Sequence, residues 1–218
     1  MNALIIAIDG PSASGKGTIA RRLAAHFDFA HLDTGLLYRA VGLAVLKSGG
    51  DPSNTADATQ AARALSPKSL NAEDPGLRED STAQAASKVA AIPEVRRALL
   101  QFQKDFAAHP PGDKKGAVLD GRDIGTVIAP GAKVKIYITA SKEARIQRRF
   151  KELQERGGNV TYAAVLRDMQ ARDARDAKRV VAPAKPAPDA VILDTTEMTA
   201  EESYAAALKI ASEVLAAD

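Results

Sequence analysis

The stretch that decides the fold is LIIAIDGPSASGKGTIARRLAAHF, residues 4–27. Its first part, Leu4–Ile8, is a short apolar run that predicts a buried strand. Its last part carries Ile19, Leu23 and Phe27 at four-residue intervals, which predicts a helix with one apolar face. A glycine-rich turn joins the two segments, so residues 4–27 are predicted to form a strand–turn–helix unit.

The turn has a spacing that suits phosphate. Gly10, Gly15 and Lys16 fit the pattern G-x-x-x-x-G-K, directly after a strand and at the start of a helix. Glycines let backbone N–H groups wrap phosphate oxygens, the helix N-terminus adds positive potential, and the lysine can reach the β- and γ-phosphates. The sequence therefore predicts an ATP-binding loop that contacts the nucleotide through Gly10, Pro11, Ser12, Ala13, Ser14, Gly15, Lys16, Gly17 and Thr18.

One position separates this loop from that of other nucleotide-binding proteins. Lys16 is followed by Gly17, and the hydroxyl comes one place later, at Thr18. In switch GTPases and motor ATPases a hydroxyl directly after the lysine holds Mg²⁺. The form GKGT is typical of nucleoside monophosphate kinases, so the loop favours a kinase with a small acceptor.

Four further apolar runs are separated by segments with helical spacing. Strands that alternate with helices favour an α/β fold with a parallel sheet covered on both faces. The stretch from 36 to 109 is too long for a simple crossover and predicts a helical lobe beside the sheet. The charged helices of 141–180 predict a lid, and Gly157-Gly158 predicts the end of the first of these helices. We expect one domain in which the lobe and the lid can move. The core then comprises about 1–35, 110–140 and 181–218, and its remaining strands are Ala30–Leu32, Ala117–Leu119, Val134–Ile138 and Ala190–Leu193.

Composition excludes several classes of function. The chain has no cysteine, which rules out disulfides, thiolate catalysis and zinc fingers. Its net charge of +3 arises from 30 basic and 27 acidic residues that are interspersed, which disfavours a nucleic-acid binder. The apolar run near the N-terminus is too short for a signal peptide or a membrane span. We expect a cytoplasmic monomer without nucleic-acid or membrane partners.

Polar residues follow the predicted strands at the edge where ligands of parallel sheets bind. Asp120, Arg122 and Asp123 emerge together after the third strand, and Thr34, which can cap the next helix, follows the second. In the lid, Arg172, Asp176 and Arg179 have a spacing that places them on one helix face, and Arg145, Arg148 and Arg149 lie on the preceding helix.

Five motifs in order make the chain resemble the bacterial cytidylate kinase family. They are IDGPSASGKGT (8–18), LDTGLLYR (32–39), AASKVAAIPEVRRALL (85–100), LDGRDIGTVI (119–128) and RDARDAKRVVAP (172–183). The resemblance implies a three-layer P-loop kinase fold with a five-stranded parallel sheet, a helical acceptor-binding lobe and a lid. It also implies ATP and Mg²⁺ as cofactors and CMP or dCMP as the acceptor.

Roles for individual residues follow from the same resemblance. It implies that the catalytic residues are Lys16, Arg122, Arg149 and Arg172, that Arg148 joins the ATP site, and that Thr18 and Asp33 lie near the metal. It implies that CMP is bound by Thr34, Tyr38, Arg39, Ser87, Arg96, Asp120, Arg122, Asp123, Arg172, Asp176 and Arg179. A carboxylate at Asp123 has a physical rationale, because it accepts from the amino group of cytosine, where uracil presents a carbonyl.

The chain departs from the family pattern before the AAS motif. Residues 66–82 are short and lack the alternation of strands, so we predict that the small sheet carried there by many relatives is reduced or absent. Arg78 is the basic residue of this stretch that could still reach the acceptor. Three alternatives stay open: a P-loop kinase for UMP, AMP, shikimate or dephospho-coenzyme A, a nucleotide-binding switch without an acceptor, and a nucleic-acid binder.

Overall fold

A computed structural model describes residues 3–66 and 70–217. Within these residues five parallel strands form one sheet in the order β2-β3-β1-β4-β5. The strands are β1 (Leu4–Asp9), β2 (Ala30–Asp33), β3 (Gly116–Gly121), β4 (Val134–Thr139) and β5 (Val191–Asp194). The helices are α1 (Lys16–Phe27), α2 (Thr34–Lys47), α3 (Thr55–Ala64), α4 (Asp80–Val89), α5 (Pro93–Ala108), α6 (Lys142–Glu155), α7 (Tyr162–Ala177) and α8 (Ala200–Ala216). The predicted α/β class and parallel sheet are confirmed.

The register of the sheet brings three carboxylates to one edge. β1 is central and pairs with β3 and β4, and β2 pairs with β3 so that Asp33 lies opposite Asp120. Asp9 ends β1 opposite Gly121. Because all strands are parallel, their carboxyl ends share this edge, and the phosphate-loop sequence begins there at Gly10.

Apolar side chains cover both faces of the sheet. On one face, Ile6 and Ile8 pack against Leu23 of α1 and Ala207 of α8. On the other, Leu119 packs with Ala107 of α5 and with a π-helical turn, Ile124–Ile128. The result is a three-layer arrangement that leaves the carboxyl edge uncovered by either layer.

The fifth strand differs in part from its prediction. Its apolar run predicts a buried strand, and Leu193 is indeed buried, but Val191 and Ile192 are exposed. β5 is the edge strand next to β4, and an edge strand lacks a neighbour on its outer side. Burial of these two side chains is therefore a prediction that the structure corrects.

Residues 36–109, here called the acceptor lobe, have a core of their own. Leu37 and Val41 of α2 pack with Val89 at the end of α4 and with Val95 and Leu99 of α5. Between α3 and α4, residue 66 and residues 70–79 contain a 3-10 turn, Pro75–Arg78, and no strand. The predicted reduction of the small sheet is supported for these residues, and the part that falls on 67–69 lies outside the described chain.

Residues 141–180, here called the lid, contain two capped helices. The side chains of Ser141 and Thr161 accept hydrogen bonds from the first turns of α6 and α7. Gly157 adopts φ +77, and the N–H of Gly158 donates to the carbonyl of Leu153 at 2.9 Å, which ends α6 where the Gly-Gly pair predicts. Ile146, Leu153, Val165 and Met169 form a small separate core. That the lid and lobe move as units stays a prediction.

Candidate active site

The glycine-rich turn adopts a conformation that leaves backbone N–H groups open. Gly15 takes φ +88 and is the N-cap of α1 without a side-chain hydrogen bond, so the N–H groups of Lys16 and Gly17 are open to an anion. Gly10 adopts φ +155, and a Cβ there would lie 2.1 Å from the carbonyl oxygen of Ile138. The turn thus has the geometry of a phosphate loop.

Lys16 begins α1 at the floor of the same turn. Its Nζ donates to the carbonyl of Pro11 at 3.4 Å. Burial lowers the pKa of Lys16 to about 7, and the nearby Arg122 adds to the decrease, which outweighs the opposing effect of Asp120 and Asp33. An ammonium with a pKa this low lacks a strong anionic partner, which a phosphate would provide.

Asp33 and Asp120 stand side by side at the carboxyl edge. The Asp33 carboxylate accepts from the N–H of Gly35 at 2.9 Å and is the N-cap of α2. The prediction that Thr34 caps this helix is therefore wrong: Thr34 is its first residue, and its hydroxyl donates to the carbonyl of Asp120 at 2.8 Å. Burial and the neighbouring Asp120 raise the pKa of Asp33.

His31 contacts this carboxylate pair, although sequence reasoning gave it no role. Its Nε2 lies 2.9 Å from Oδ2 of Asp120. His31 and Asp33 are two residues apart on β2, so both point to the same face of the sheet. That alternation was the available signal, but it becomes informative only once β2 is known to lie beside β3.

A buried ion pair lies on the acceptor-lobe side of the cleft. Arg96 donates to Asp123, and the two side chains are each 7% exposed. The guanidinium carbon of Arg96 lies 5.4 Å from the centroid of the Tyr38 ring. Ser87 is buried and lines the same cleft. A carboxylate held this way keeps acceptor capacity for a polar ligand.

Asp176 is held between two arginines. Nε of Arg122 donates to it at 3.0 Å, and Arg179 donates to its other oxygen. Burial raises the pKa of Asp176, but the charges of Arg122, Arg179 and Arg172 prevail and leave it below its usual value. α7 ends at Ala177, so Arg179 lies just beyond the helix on which its spacing placed it.

Other arginines of the cleft have few anionic partners. Nε of Arg172 is buried and has no hydrogen-bond partner within the described chain. Burial and the nearby Arg122 lower the pKa of Arg172 to about 9. Arg39 donates to the carbonyl of Leu77 at 2.8 Å, and burial together with Arg149 lowers its pKa. This excess of positive charge is typical of a site for polyanions.

The three lid arginines of α6 make different contacts. Arg149 lines the cleft and pairs with Asp80 and Glu152. Arg148, predicted to bind ATP, donates instead to the hydroxyl and carbonyl of Thr195. Arg145 is buried between the carbonyl of Ser12 and the carboxylate of Asp173. The arginines therefore differ in what they touch, which helical spacing alone did not reveal.

Two further candidates lie away from the cleft. Thr18, a predicted metal ligand, is exposed, and its hydroxyl accepts a long hydrogen bond from Arg21. Arg78 pairs with Glu73 and faces a neighbouring groove. The remaining loop residues, Gly10, Pro11, Ser14 and Gly15, form the turn itself without lining the cavity.

One cavity of about 220 Å³ unites the phosphate loop with the acceptor residues. Most of the candidate side chains line it, from the turn, the sheet edge, the acceptor lobe and the lid. The candidates that it brings together are Ser12, Ala13, Lys16, Gly17, Asp33, Thr34, Tyr38, Arg39, Ser87, Arg96, Asp120, Arg122, Asp123, Arg149, Arg172, Asp176 and Arg179.

A phosphate loop that shares a cleft with an arginine-rich acceptor pocket, on a five-stranded parallel sheet, defines a P-loop kinase with a small acceptor. Within that class the chain belongs to the cytidylate kinase family, since the family model described as Cytidylate kinase matches residues 6–213. The resemblance drawn from the five motifs is thereby confirmed.

Curated relatives agree with this assignment, and a solved structure shares the fold. A cytidylate kinase from Paramagnetospirillum magneticum is 61% identical over 206 residues, covering 94% of this chain and 96% of that protein. One from Rhodospirillum rubrum is 60% identical, covering 95% and 96%. An uncharacterized protein from Eubacterium ventriosum has a similar fold, with a TM-score of 0.54, 17% identity, and coverage of 96% and 99%. Within residues 3–66 and 70–217, each helix is too short or too polar to cross a membrane.

Proposed function

We propose that the protein transfers the γ-phosphoryl group of ATP to CMP and dCMP, giving ADP and CDP or dCDP. The observation that carries the proposal is the single cleft in which the phosphate loop shares one space with a polar pocket containing Arg96 and Asp123. Membership of the cytidylate kinase family supports the same reaction. A phosphate loop alone occurs in many nucleotide-binding proteins, whereas the polar pocket provides a second site that can bind the acceptor of the phosphoryl group.

The acceptor phosphate is proposed to bind to Arg39, Arg122 and Arg172. These guanidinium groups line the cleft, and planar guanidinium groups can donate two parallel hydrogen bonds to a phosphate. The unpartnered Nε of Arg172 supports this role, because a buried donor without a partner is costly unless a ligand satisfies it. Asp176, held by Arg122 and Arg179, is the proposed partner of the ribose hydroxyls.

The cytosine ring is proposed to lie near Tyr38, with Asp123 accepting from its exocyclic amino group. Arg96 and Ser87 would donate to the acceptor edge of the ring. Uracil would place a carbonyl oxygen against the Asp123 carboxylate and leave buried polar groups unpaired. Sites built on such hydrogen bonds discriminate between substrates by about 10⁴ or more.

Asp33 and Asp120 are the proposed protein ligands of Mg²⁺. Oxygen donors suit this ion, and it is commonly bound by one or two carboxylates together with substrate phosphates and waters. Two carboxylates would leave most of the coordination positions of the ion to substrate phosphates and waters. When bound, Mg²⁺ would neutralise charge on the phosphates. Thr18, the other predicted metal ligand, is exposed and does not line the cleft.

The transfer itself is proposed to need no dedicated base. The phosphate of CMP has a second pKa of about 6, so it is already a dianion near neutral pH and can attack directly. Lys16, Arg122, Arg149 and Arg172 would stabilise the charge on the moving group, where single arginines contribute about 10³-fold or more to the rate. A lid that closes over the cleft would also exclude water as a competing acceptor.

Arg148 is proposed to support the ATP site from outside the cleft. It donates to Thr195, and the hydroxyl of Thr195 lies 3.3 Å from the carbonyl of Ser14 in the phosphate loop. Arg148 would thereby stabilise the loop on which the triphosphate rests.

An ADP-release assay with a panel of acceptors tests the proposal. CMP and dCMP should be turned over far faster than UMP, AMP or shikimate. Equal or better turnover of UMP or AMP would contradict the base-reading role of Asp123. Tight ATP binding that no acceptor converts into turnover would favour the nucleotide-binding switch. We also propose a monomer, since one chain supplies the whole cleft, and sedimentation equilibrium measures this directly.

A further inference from the structure

Arg175 of the lid contacts the acceptor lobe through the hydroxyl of Ser87. Its Nε donates to Oγ of Ser87 at 3.0 Å, and its Nη2 donates to Oε1 of Gln84 at 3.3 Å. Arg175 belongs to α7, whereas Ser87 and Gln84 belong to α4. Ser87 is buried and lines the cleft, while Arg175 lies outside its lining. Arg175 thus reaches the cleft only through Ser87.

This contact determines how the Ser87 hydroxyl can interact with a ligand. A guanidinium group can only donate, so the hydroxyl oxygen must accept from Arg175. Its single hydrogen remains available to an acceptor in the cleft. A neighbouring positive charge strengthens that hydrogen as a donor and disfavours acceptance of a second N–H group by the same oxygen.

Cytosine and uracil differ in whether they can accept a hydrogen bond from the Ser87 hydroxyl. The ring nitrogen beside the exocyclic amino group of cytosine carries a lone pair and accepts. The same nitrogen in uracil carries a hydrogen and donates. A Ser87 hydroxyl that is committed to donation therefore matches cytosine and opposes uracil, independently of the carboxylate of Asp123.

We infer that Arg175 is a specificity-determining positioning residue: by donating to Ser87 it commits the Ser87 hydroxyl to donation toward the pyrimidine and disfavours UMP. The inference rests on the proposed function, since it concerns the acceptor site of that reaction. A residue that only latched the lid to the lobe would affect all acceptors alike. If Arg175 contributes to base selection, its replacement changes the ratio of kcat/KM for CMP to kcat/KM for UMP.

The test compares kcat/KM for CMP and UMP in Arg175→Met. The value for CMP should fall by about 10- to 100-fold, the loss expected for one charge-assisted hydrogen bond, while the value for UMP changes little. KM for ATP should be unchanged. Arg167→Met is the matched control, because Arg167 is exposed on the same helix, and it should leave the ratio as in the wild type.

A double variant shows whether Arg175 acts through Ser87. In a Ser87→Ala background, Arg175→Met should change the CMP-to-UMP ratio no further, because the group it orients is gone. The inference would be overturned if Arg175→Met lowered kcat/KM equally for CMP and UMP. It would also be overturned if Arg175→Met changed the CMP-to-UMP ratio equally in the wild type and in Ser87→Ala. If the wild type itself shows no preference for CMP, the proposed function fails and the inference falls with it. If that preference is present and survives Arg175→Met, the inference alone fails.

Discussion

The side chains that line the cleft include more positively charged groups than negatively charged ones. Lys16 and Arg172 have lowered pKa values, of about 7 and about 9, because burial and neighbouring arginines disfavour their charged forms. Bound phosphates would reverse this effect, since an anion stabilises the protonated forms. The same groups that destabilise the free protein are therefore suited to bind two phosphorylated substrates.

The pKa of Lys16 predicts how ATP binding depends on pH. A lysine whose pKa is lowered is charged below about pH 7 and neutral above it, so the affinity of the free protein for ATP should fall as the pH rises. The decrease should approach about tenfold per pH unit between about pH 7 and about pH 9, where the triphosphate no longer titrates. Calorimetry with a non-hydrolysable ATP analogue measures it.

Lys16→Met provides the control for this pH dependence. It should bind the analogue weakly and with an affinity that no longer depends on pH in that range. Its thermal stability should be at least that of the wild type, because the variant removes a charge that burial disfavours. An affinity of the wild type that stays constant up to about pH 9 would contradict the assignment of this residue.

Asp123 provides the sharpest test of base recognition. Removal of one partner from a buried ion pair costs about 3–5 kcal/mol, so Asp123→Ala would confuse binding with folding. Asp123→Asn also loses the charge, but it keeps the shape and an amide oxygen that can accept from Arg96, and its amide nitrogen is a donor that can pair with the uracil carbonyl. We expect kcat/KM for CMP to fall by about 100-fold or more, while kcat/KM for UMP falls less or rises. Equal losses would mean that Asp123 does not read the base.

Among the structural elements, the phosphate loop is the most constrained. A Cβ at Gly10 would meet the carbonyl oxygen of Ile138 at 2.1 Å and would require a backbone shift. Gly131 also lies in a turn, but a Cβ there meets nothing within 4 Å. The contrast arises because β1 and β4 are neighbours in the sheet, so the loop leaves β1 directly against the end of β4.

This contrast yields a matched pair of variants. Gly10→Ala should lose about 2 kcal/mol or more of unfolding free energy and nearly all turnover, because the loop must move to avoid the clash. Gly131→Ala should be neutral or slightly stabilising in the same chemical denaturation experiment. Equal stabilities of the two variants would show that the close approach of Gly10 to Ile138 is not present in solution.

Much of the fold follows from local pattern. Short buried runs predicted all five strands, because central parallel strands are apolar on both faces. Gly-Gly predicted the end of α6 for an equally local reason. The prediction failed at Val191 and Ile192, since the position of β5 at the edge depends on which strands pair. Likewise, Thr34 and Asp33 both suit a helix cap, and only the geometry of the chain distinguishes them.

The site could be predicted in its members but not in its contacts. The motifs named Arg96, Asp123, Arg122 and Asp176, and these residues line one cleft. That Asp123 pairs with Arg96 and Asp176 with Arg122 depends on residues far apart in the chain. The roles of Arg145 and Arg175 were missed for the same reason, because each contacts a distant element through a side chain whose spacing resembles an ordinary surface helix.

In the molecule as a whole, the phosphate loop, the sheet edge, the acceptor lobe and the lid meet around one space. Arg149 joins the lid to Asp80 of the lobe, and Arg145 joins it to Ser12 of the loop. These contacts connect both ends of the cleft to the lid. Donor and acceptor nucleotides bound at the two ends would therefore place their phosphates between the same arginines.

The most direct measurement of this arrangement uses adenosine and cytidine joined through a chain of phosphates. If the two sites face each other, calorimetry should find one molecule bound per chain, with an affinity about 100-fold or more above that of ATP or CMP alone. Either nucleotide should then displace the compound in competition. An affinity no higher than that of ATP, with CMP unable to compete, would contradict the facing sites on which the kinase assignment depends.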